Sequence, residues 1–600
     1  MIKQLLKIIG IVSFYKTRLK RASLSELAYR LRQAGTRCRA AWLVRSGQIP
    51  CRIPSLDLPS ITSLSMPAFR GQIERIDIER ILDGFRFNLN TDQEAITRCE
   101  QELRQRYCPS TRSIGGQVDI RAVWEPARLQ HVTLLLAWLQ QQPDSPSNGR
   151  IKEFARAEIL GWLADNPFLY GPHYLSAMEC SLRLPVFFYA LKSLDNLSSS
   201  DVETILTGAF LHAWWTEKNL SLFSSLGNHT VSEAMGLVFA GGMFRETETG
   251  RRWLKTGITL LEQELPHQVL ADGGPAEQAF GYHRFVLDIY LLVIEFMENN
   301  GLRRCDDFKE RILLGEVFLS SFNDWGKCMQ LLGDYDDGYA VAPGLYPRRP
   351  CTVALRPPSQ TFSQAGYTVV RSAGGLLLSF DHGPLGMAPL HNHGHADALS
   401  VTLTIGGTQF LVDSGTYRYN GAPALRRYFK GTRAHNTVTI DGLDQATQLT
   451  NFIWDDPFTG RLERIHETST GLLIEASHDG YSRLAEPVRH IRSMLTTQDG
   501  SWLVTDRFEG SGSHTFELNF HFHPEVTVTR QERGWLAEQN GHNIRVELAH
   551  GDFHFRRGEE DPPLGWFSPA YNLKVASTVL QAIRIGTPAE VRFETRITPV

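Results

Sequence analysis

The densest run of chemically able side chains in this sequence is His391-Asn-His-Gly-His-Ala-Asp397. Imidazoles and carboxylates at such close spacing either hold a divalent cation or move protons near neutral pH. Asp413 follows within Phe410-Leu-Val-Asp-Ser-Gly-Thr, and His435 within Arg433-Ala-His-Asn-Thr-Val. The Gly406-Gly407 pair predicts a hairpin that returns the chain to its start. That return lets His395, Asp413 and His435 converge on one cation. Two imidazoles and a carboxylate suit zinc, with a water or a neighbouring group completing a tetrahedron. A lone His-x-His pair reads more simply as hydrogen-bonded or surface histidines; Asp413 and His435 tip the balance toward a metal.

Upstream signals are individually weaker. Gly227-Asn-His-Thr precedes an apolar helix, so Asn228 and His229 sit at a helix start, where Asn228 also suits a cap. In Asp272-Gly-Gly-Pro-Ala-Glu-Gln-Ala-Phe-Gly-Tyr-His283 a glycine turn leads into a helix. There Glu277 suits a first-turn acid, and Tyr282 and His283 suit core positions with polar tips. Gly333-Asp-Tyr-Asp-Asp-Gly offers Asp334, Asp336 and Asp337. Paired carboxylates are what a glycoside hydrolase needs, although a solvated turn is the plainer reading.

Two kinds of element must position these groups. From about Arg121 to Phe322 apolar residues recur at three and four spacing, in Val123–Gln140, Ile151–Ala164, Ser176–Leu194, Val202–Glu217 and Phe285–Asn299. Eight or more helices in series predict a toroid or solenoid of helical hairpins. After Pro343, Pro347, Pro350, Pro357 and Pro358 the texture turns to period two, in Thr368–Arg371, Leu376–Phe380, Leu399–Ile405, Gln409–Val412, Thr437–Ile440, Leu472–Ala476, Trp502–Asp506 and Thr515–Phe522. Short strands with turn signals at this density predict a large antiparallel β-sandwich. The expected organisation is a basic N-terminal helical segment over 1–70, a toroid over 71–342, a proline-rich linker over 343–358 and a sandwich over 359–600.

Composition narrows the field. With 42% hydrophobic residues, 21% charged residues and a net charge of -3, the 600-residue chain is neither disordered nor a short disulfide scaffold. Nothing in that balance attracts nucleic acid globally. All eight cysteines lie at or before Cys351, with no CxxC pair, whereas fourteen of the twenty histidines lie after it. The first fifty residues hold eleven Lys/Arg and the single acid Glu26. Leu5–Phe14 is apolar but too short to span a bilayer, and Tyr15-Lys-Thr-Arg follows in place of a cleavage site. A basic amphipathic helix, packed on its own domain or touching anionic lipid, is expected there.

Taken together the motifs resemble one family. Asp381-His-Gly-Pro-Leu-Gly, His393-Gly-His-Ala-Asp-Ala-Leu-Ser, Val412-Asp-Ser-Gly-Thr-Tyr and Arg433-Ala-His-Asn-Thr-Val-Thr-Ile-Asp-Gly are similar to the heparinase II/III-like polysaccharide lyases. Trp124-Glu-Pro-Ala-Arg128, Asn228-His, Glu277-Gln and Tyr282-His look like that family's helical domain, so the likeness runs from about Arg121 to the C-terminus. It implies an (α/α) toroid followed by an antiparallel sandwich, and β-elimination at a uronic acid of an acidic polysaccharide. By this resemblance Asn228 holds the uronate carboxylate, Tyr282 is the acid and also the base, and His393 is a partner base or neutraliser. The same likeness makes His395, Asp413 and His435 the ligands of a structural divalent ion. Some members carry a histidine where Asn228 is assigned, and His229 stands beside it. An ordinary tyrosine titrates near 10, so a phenolate at Tyr282 needs a perturber, for which His229, His283 and Arg433 are candidates, with Glu277 in support. Trp124 and Arg128, with Arg183 and Arg418, are candidate sugar contacts, with a structural salt bridge or a core tryptophan the equal alternative for each. A periplasmic or cell-envelope location is what the resemblance implies. Two other expectations stay open beside it, a hydrolase using Asp334, Asp336 or Asp337, and a non-catalytic binding or assembly protein.

Overall fold

The computed structural model describes residues 23–54, 61–71, 73–104, 106, 118–223, 226–323, 330–350, 357–372, 375–497 and 500–600. The apolar run Leu5–Phe14 lies outside them, as do the first residues of the basic segment. From Leu24 to Arg45 that segment is a helix capped by Ser23. Tyr29 Oη donates to the Leu220 carbonyl (2.8 Å) and Arg37 Nε to Asn219 Oδ1 (2.7 Å), which ties it to the helical domain. Among the described residues no helix is long and apolar enough to cross a membrane.

The helical half forms antiparallel pairs over Gln130–Gln141, Asn148–Asp165, Ala177–Ser193, Ser199–Lys218, Asn228–Met243, Glu248–Gln268, Phe280–Asn299 and Asp306–Ser321. The helices Ala177–Ser193, Asn228–Met243 and Phe280–Asn299 are buried on nearly every face, so they are the inner layer of the toroid. Amphipathic helices such as Glu248–Gln268 make the outer layer. The expected single helix over Val123–Gln140 is instead two, Ile120–Ala127 and Gln130–Gln141. Pro126 removes a backbone donor and Leu129 turns left-handed (φ 59°), which together end the first helix.

Among the described residues the β half holds antiparallel sheets of eight, five and four strands, with three two-stranded ribbons beside them. In the five-stranded sheet (359–411) successive side chains serve different cores. Val369 and Leu377 join the helical core with Phe318 and Phe322. Val370, Leu376 and Leu378 join the sandwich core with Phe516 and Trp502. This sheet is therefore a wall common to both domains, and its central strands are buried on both faces for that reason. The wall sets the sandwich rigidly against the toroid, and the functional loops emerge where the two meet.

Buried ion pairs brace the helical half and set its acid sensitivity. Against burial, Arg128 holds Glu179 down to about 2, and His131 with Arg86 holds Glu158 down to about 2, from an ordinary 4.5. The unfolded chain therefore binds more protons than the folded one between these values, and stability falls as pH falls. Melting followed by circular dichroism should decline as pH is lowered from 4.5 toward about 2. A melting temperature that stays flat through this window would contradict the pairing.

Candidate active site and metal centre

Asn228 opens an inner toroid helix, and its position is fixed by Glu277. The Asn228 backbone N–H donates to Glu277 Oε1 (2.7 Å) and its Nδ2 to Oε2 (3.0 Å), which leaves the buried Oδ1 without a partner. A carboxylate that accepts from the amide nitrogen decides which way the amide faces. Gly227 makes this close approach possible. Its φ is +99°, and a Cβ there would lie 1.9 Å from Glu277 Oε1. Gly227→Ala should displace the Asn228–Glu277 pair, add about 1–3 kcal/mol of backbone strain and slow turnover about 10²-fold through misplacement. Unchanged kinetics in a folded Gly227→Ala protein would refute that role.

Tyr282 lies in the first turn of Phe280–Asn299 and projects from the toroid to meet the sandwich. Its ring lies 3.9 Å, centroid to centroid, from that of His393, tilted by 31°. Its hydroxyl is 2.8 Å from the hydroxyl of Tyr419, a residue of the loop after Asp413. Burial, then Asp336 and Asp334, push the Tyr282 phenol well above 10. These surroundings favour the phenol over a phenolate, and two of the three expected perturbers are elsewhere. His283 Nε2 donates to the Gly273 carbonyl (2.9 Å), and Arg433 pairs with Glu517 (2.7 Å). His229 stays close enough to interact with His393 and is brought down to about 4, chiefly by burial.

His393 and His395 are held by one carboxylate. Asp334 is fully buried and accepts from His393 Nδ1 (3.2 Å), His395 Nε2 (3.0 Å) and both terminal nitrogens of Arg426 (2.5 and 2.7 Å). The remaining His393 nitrogen, Nε2, lies 3.9 Å from Glu277 Oε2. The carboxylates of the hydrolase expectation are engaged in contacts within the protein. Asp334 has no free lone pair, Asp336 is paired with Arg121 (2.8 Å), and Asp337 accepts from the Tyr571 backbone (2.6 Å).

His395, Asp413 and His435 do converge, and Asp397 joins them. One ligand atom from each of the four buried residues lies within 4.8 Å of the others. The chemistry of the donors fits a cation. His395 gives its Nε2 proton to Asp334, and His435 gives its Nδ1 proton to the Gly431 carbonyl (2.8 Å). Two lone pairs, His395 Nδ1 and His435 Nε2, then face each other at 3.1 Å beside Asp413 Oδ2. Only a proton or a metal ion between them reconciles that arrangement. Burial also lifts Asp397 to about 6, a cost that a cation would relieve.

Of the expected sugar contacts, Arg128 and Arg183 are buried, whereas Trp124 and Arg418 are half-buried. Arg128 is 2% exposed and donates twice to Glu179 (2.9 and 2.7 Å). Trp124 donates to the Pro172 carbonyl (3.0 Å), and buried Arg183 donates to His212 (3.1 Å) and the His173 carbonyl (2.6 Å). Arg418 Nε donates to the Asn420 carbonyl (2.6 Å). Sequence reasoning missed Tyr419 and Arg426, which carry no local signal. It missed Asp397 as a ligand although the residue stands two positions after His395, inside the motif itself.

Comparison with known proteins agrees with this architecture. Residues 130–312 match the heparinase II/III N-terminus, and residues 354–598 the heparinase II/III-like C-terminal region. A heparin-sulfate lyase of Bacteroides stercoris is 23% identical over 412 residues, which are 64% of this chain and 58% of that protein. One of Pedobacter heparinus is 23% identical over 440 residues, 67% of this chain and 62% of that protein. The chain thus spans about three-fifths of the length of these curated relatives. A solved heparinase III superposes with a TM-score of 0.66 at 18% identity, covering 92% of this chain and 88% of that one. A heparan sulfate lyase from Pedobacter heparinus gives 0.52 at 18% identity, covering 86% and 84%. These structures share the fold, a helical toroid followed by an antiparallel β-sandwich. Through matches to both of its halves, the chain belongs to the heparinase II/III-like family.

Proposed function

We propose that the protein is a polysaccharide lyase that cleaves a uronic-acid-containing acidic polysaccharide by β-elimination. The observation that carries this reading is the facing pair Tyr282 and His393, a buried phenol against an imidazole whose Nε2 makes no hydrogen bond and lies 3.9 Å from Glu277, the residue that holds Asn228. A uronate C5 proton is weakly acidic while the carboxylate is anionic, so the enolate-like charge of the transition state must be met by fixed polar groups. Asn228, oriented by Glu277, is the group placed to engage that carboxylate. His393 Nε2 takes the C5 proton, the C5–H electrons form the C4–C5 double bond, and the C4–O4 bond breaks. The Tyr282 phenol gives its proton to the departing O4. A proton passing from His393 back to Tyr282 restores both groups, and no water is consumed.

The four-residue cluster His395, Asp397, Asp413 and His435 is proposed to hold one Zn²⁺. Two imidazoles and two carboxylates would supply four protein ligands, so that Asp397 would take the place expected of water. Bound there, the ion supplies positive charge that pins three loops, one of which carries His393. The test is a panel of heparin-like, alginate-like and bacterial exopolysaccharide substrates, followed by the ultraviolet absorbance of an unsaturated uronate. One of these should give the chromophore, and prolonged chelation should lower both the rate and the melting temperature. Reducing ends released without the chromophore would exclude elimination.

A further inference from the structure

Asp334 lies in the turn between the last toroid helix and the sandwich, and all its hydrogen-bonding capacity is committed. Each carboxylate oxygen accepts from one imidazole and one Arg426 nitrogen, and its backbone N–H donates to the His393 carbonyl (2.9 Å). Arg426 is itself immobilised, donating from Nε to the Asn451 carbonyl (2.9 Å) and lying over Tyr419 (5.0 Å). A carboxylate can only accept from an imidazole, so Asp334 dictates which nitrogen of each ring carries the proton. For His395 the consequence is a lone pair on Nδ1, aimed into the cation cluster. For His393 it is a lone pair on Nε2, on the side of Tyr282 and Glu277.

We infer that Asp334, clamped by Arg426, is a positioning residue that couples the metal cluster to the reacting histidine by setting the tautomer and orientation of both rings. The coupling is short and rigid, one carboxylate wide. A metal-bound His395 holds Asp334 in place, and Asp334 holds His393. The inference rests on the lyase reading for the role of His393, but its substrate-free measurements do not.

Asp334→Asn is the direct test, because an amide must present N–H to one ring or to Arg426. Turnover should fall about 10³–10⁴-fold, as expected when a catalytic imidazole loses the carboxylate that sets its tautomer, with KM changed no more than about threefold. Affinity for Co²⁺ alone, titrated by its visible absorption, should fall about 10–100-fold, the usual cost of removing such an outer partner. Asp336→Asn removes a neighbouring carboxylate that touches neither ring, and should leave Co²⁺ affinity as in the parent protein. Should Asp334→Asn fail to fold, ¹⁵N-histidine spectra of the unaltered protein decide the matter, with His393→Gln supplying the assignment. They should show His393 protonated at Nδ1. A His393 protonated at Nε2, an Asp334→Asn protein with parental Co²⁺ affinity, or full recovery of turnover at saturating metal would each overturn the coupling. Absence of any lyase product from the parent protein would sink the activity reading while leaving the Co²⁺ and ¹⁵N results to stand or fall independently.

Discussion

Tyr282→Phe should reduce formation of the unsaturated product about 10⁴-fold, the upper end of what a positioned proton donor contributes. The change removes one oxygen from a ring that stays packed against His393 (3.9 Å), so stability should alter little. The lost hydroxyl has one protein partner, Tyr419 Oη at 2.8 Å, which is left with its own hydroxyl free to rotate. By transition-state arithmetic the loss corresponds to about 5 kcal/mol of barrier. Substrate binding measured by calorimetry should persist, because the carboxylate contact is proposed for Asn228 on another helix. If the Tyr282→Phe enzyme retained more than about a tenth of the parental rate, Tyr282 would not be the acid, and Tyr419 would be the next group to change.

Arg128→Ala tests the opposite kind of residue. Arg128, Glu179, Glu125 and Arg121 form a buried charge cluster, with Arg128 bridging Glu125 (3.1 Å) and Glu179 (2.7 Å). Removing one partner strands a carboxylate away from water, which costs about 3–5 kcal/mol. The expected result is a helical domain that melts well below that of the parent protein, with KM little changed in the folded fraction. Adding Glu179→Gln should recover part of the loss, since no uncompensated charge then remains. A raised KM with an unchanged melting temperature would restore Arg128 to the substrate site and refute the structural assignment.

These two residues mark how far local pattern reaches. Period 3.6 against period two separates the toroid from the sandwich, because a helix or a strand that buries one face must repeat its apolar residues at its own pitch. The observed Ser199–Lys218 and Leu376–Asp381 stand within a few residues of the expected Val202–Glu217 and Leu376–Phe380. Short-range geometry also explains the convergence of His395 with Asp413, since the Gly406-Gly407 hairpin brings them together within one loop of sheet. Asn228, Tyr282 and His393 were named from motif resemblance, and the fold places all three around one junction.

Distance along the chain is where the sequence falls silent. Asp334 reads as a solvated turn or a catalytic acid until Arg426, ninety-two positions later, is seen to close on it. Arg128 reads as a sugar contact until Glu179 is found opposite, and Tyr419 carries no signal until its hydroxyl meets that of Tyr282. Burial decides each case. An arginine or aspartate has the same side chain in water and in a core, and only the tertiary structure says which partners replace water. The side-chain types and their short spacings determined that this chain could build a toroid, a sandwich and a histidine–aspartate cluster. The packing of the two halves across a common sheet decided which charges are structural, which phenol stays protonated and which imidazole nitrogen is left free.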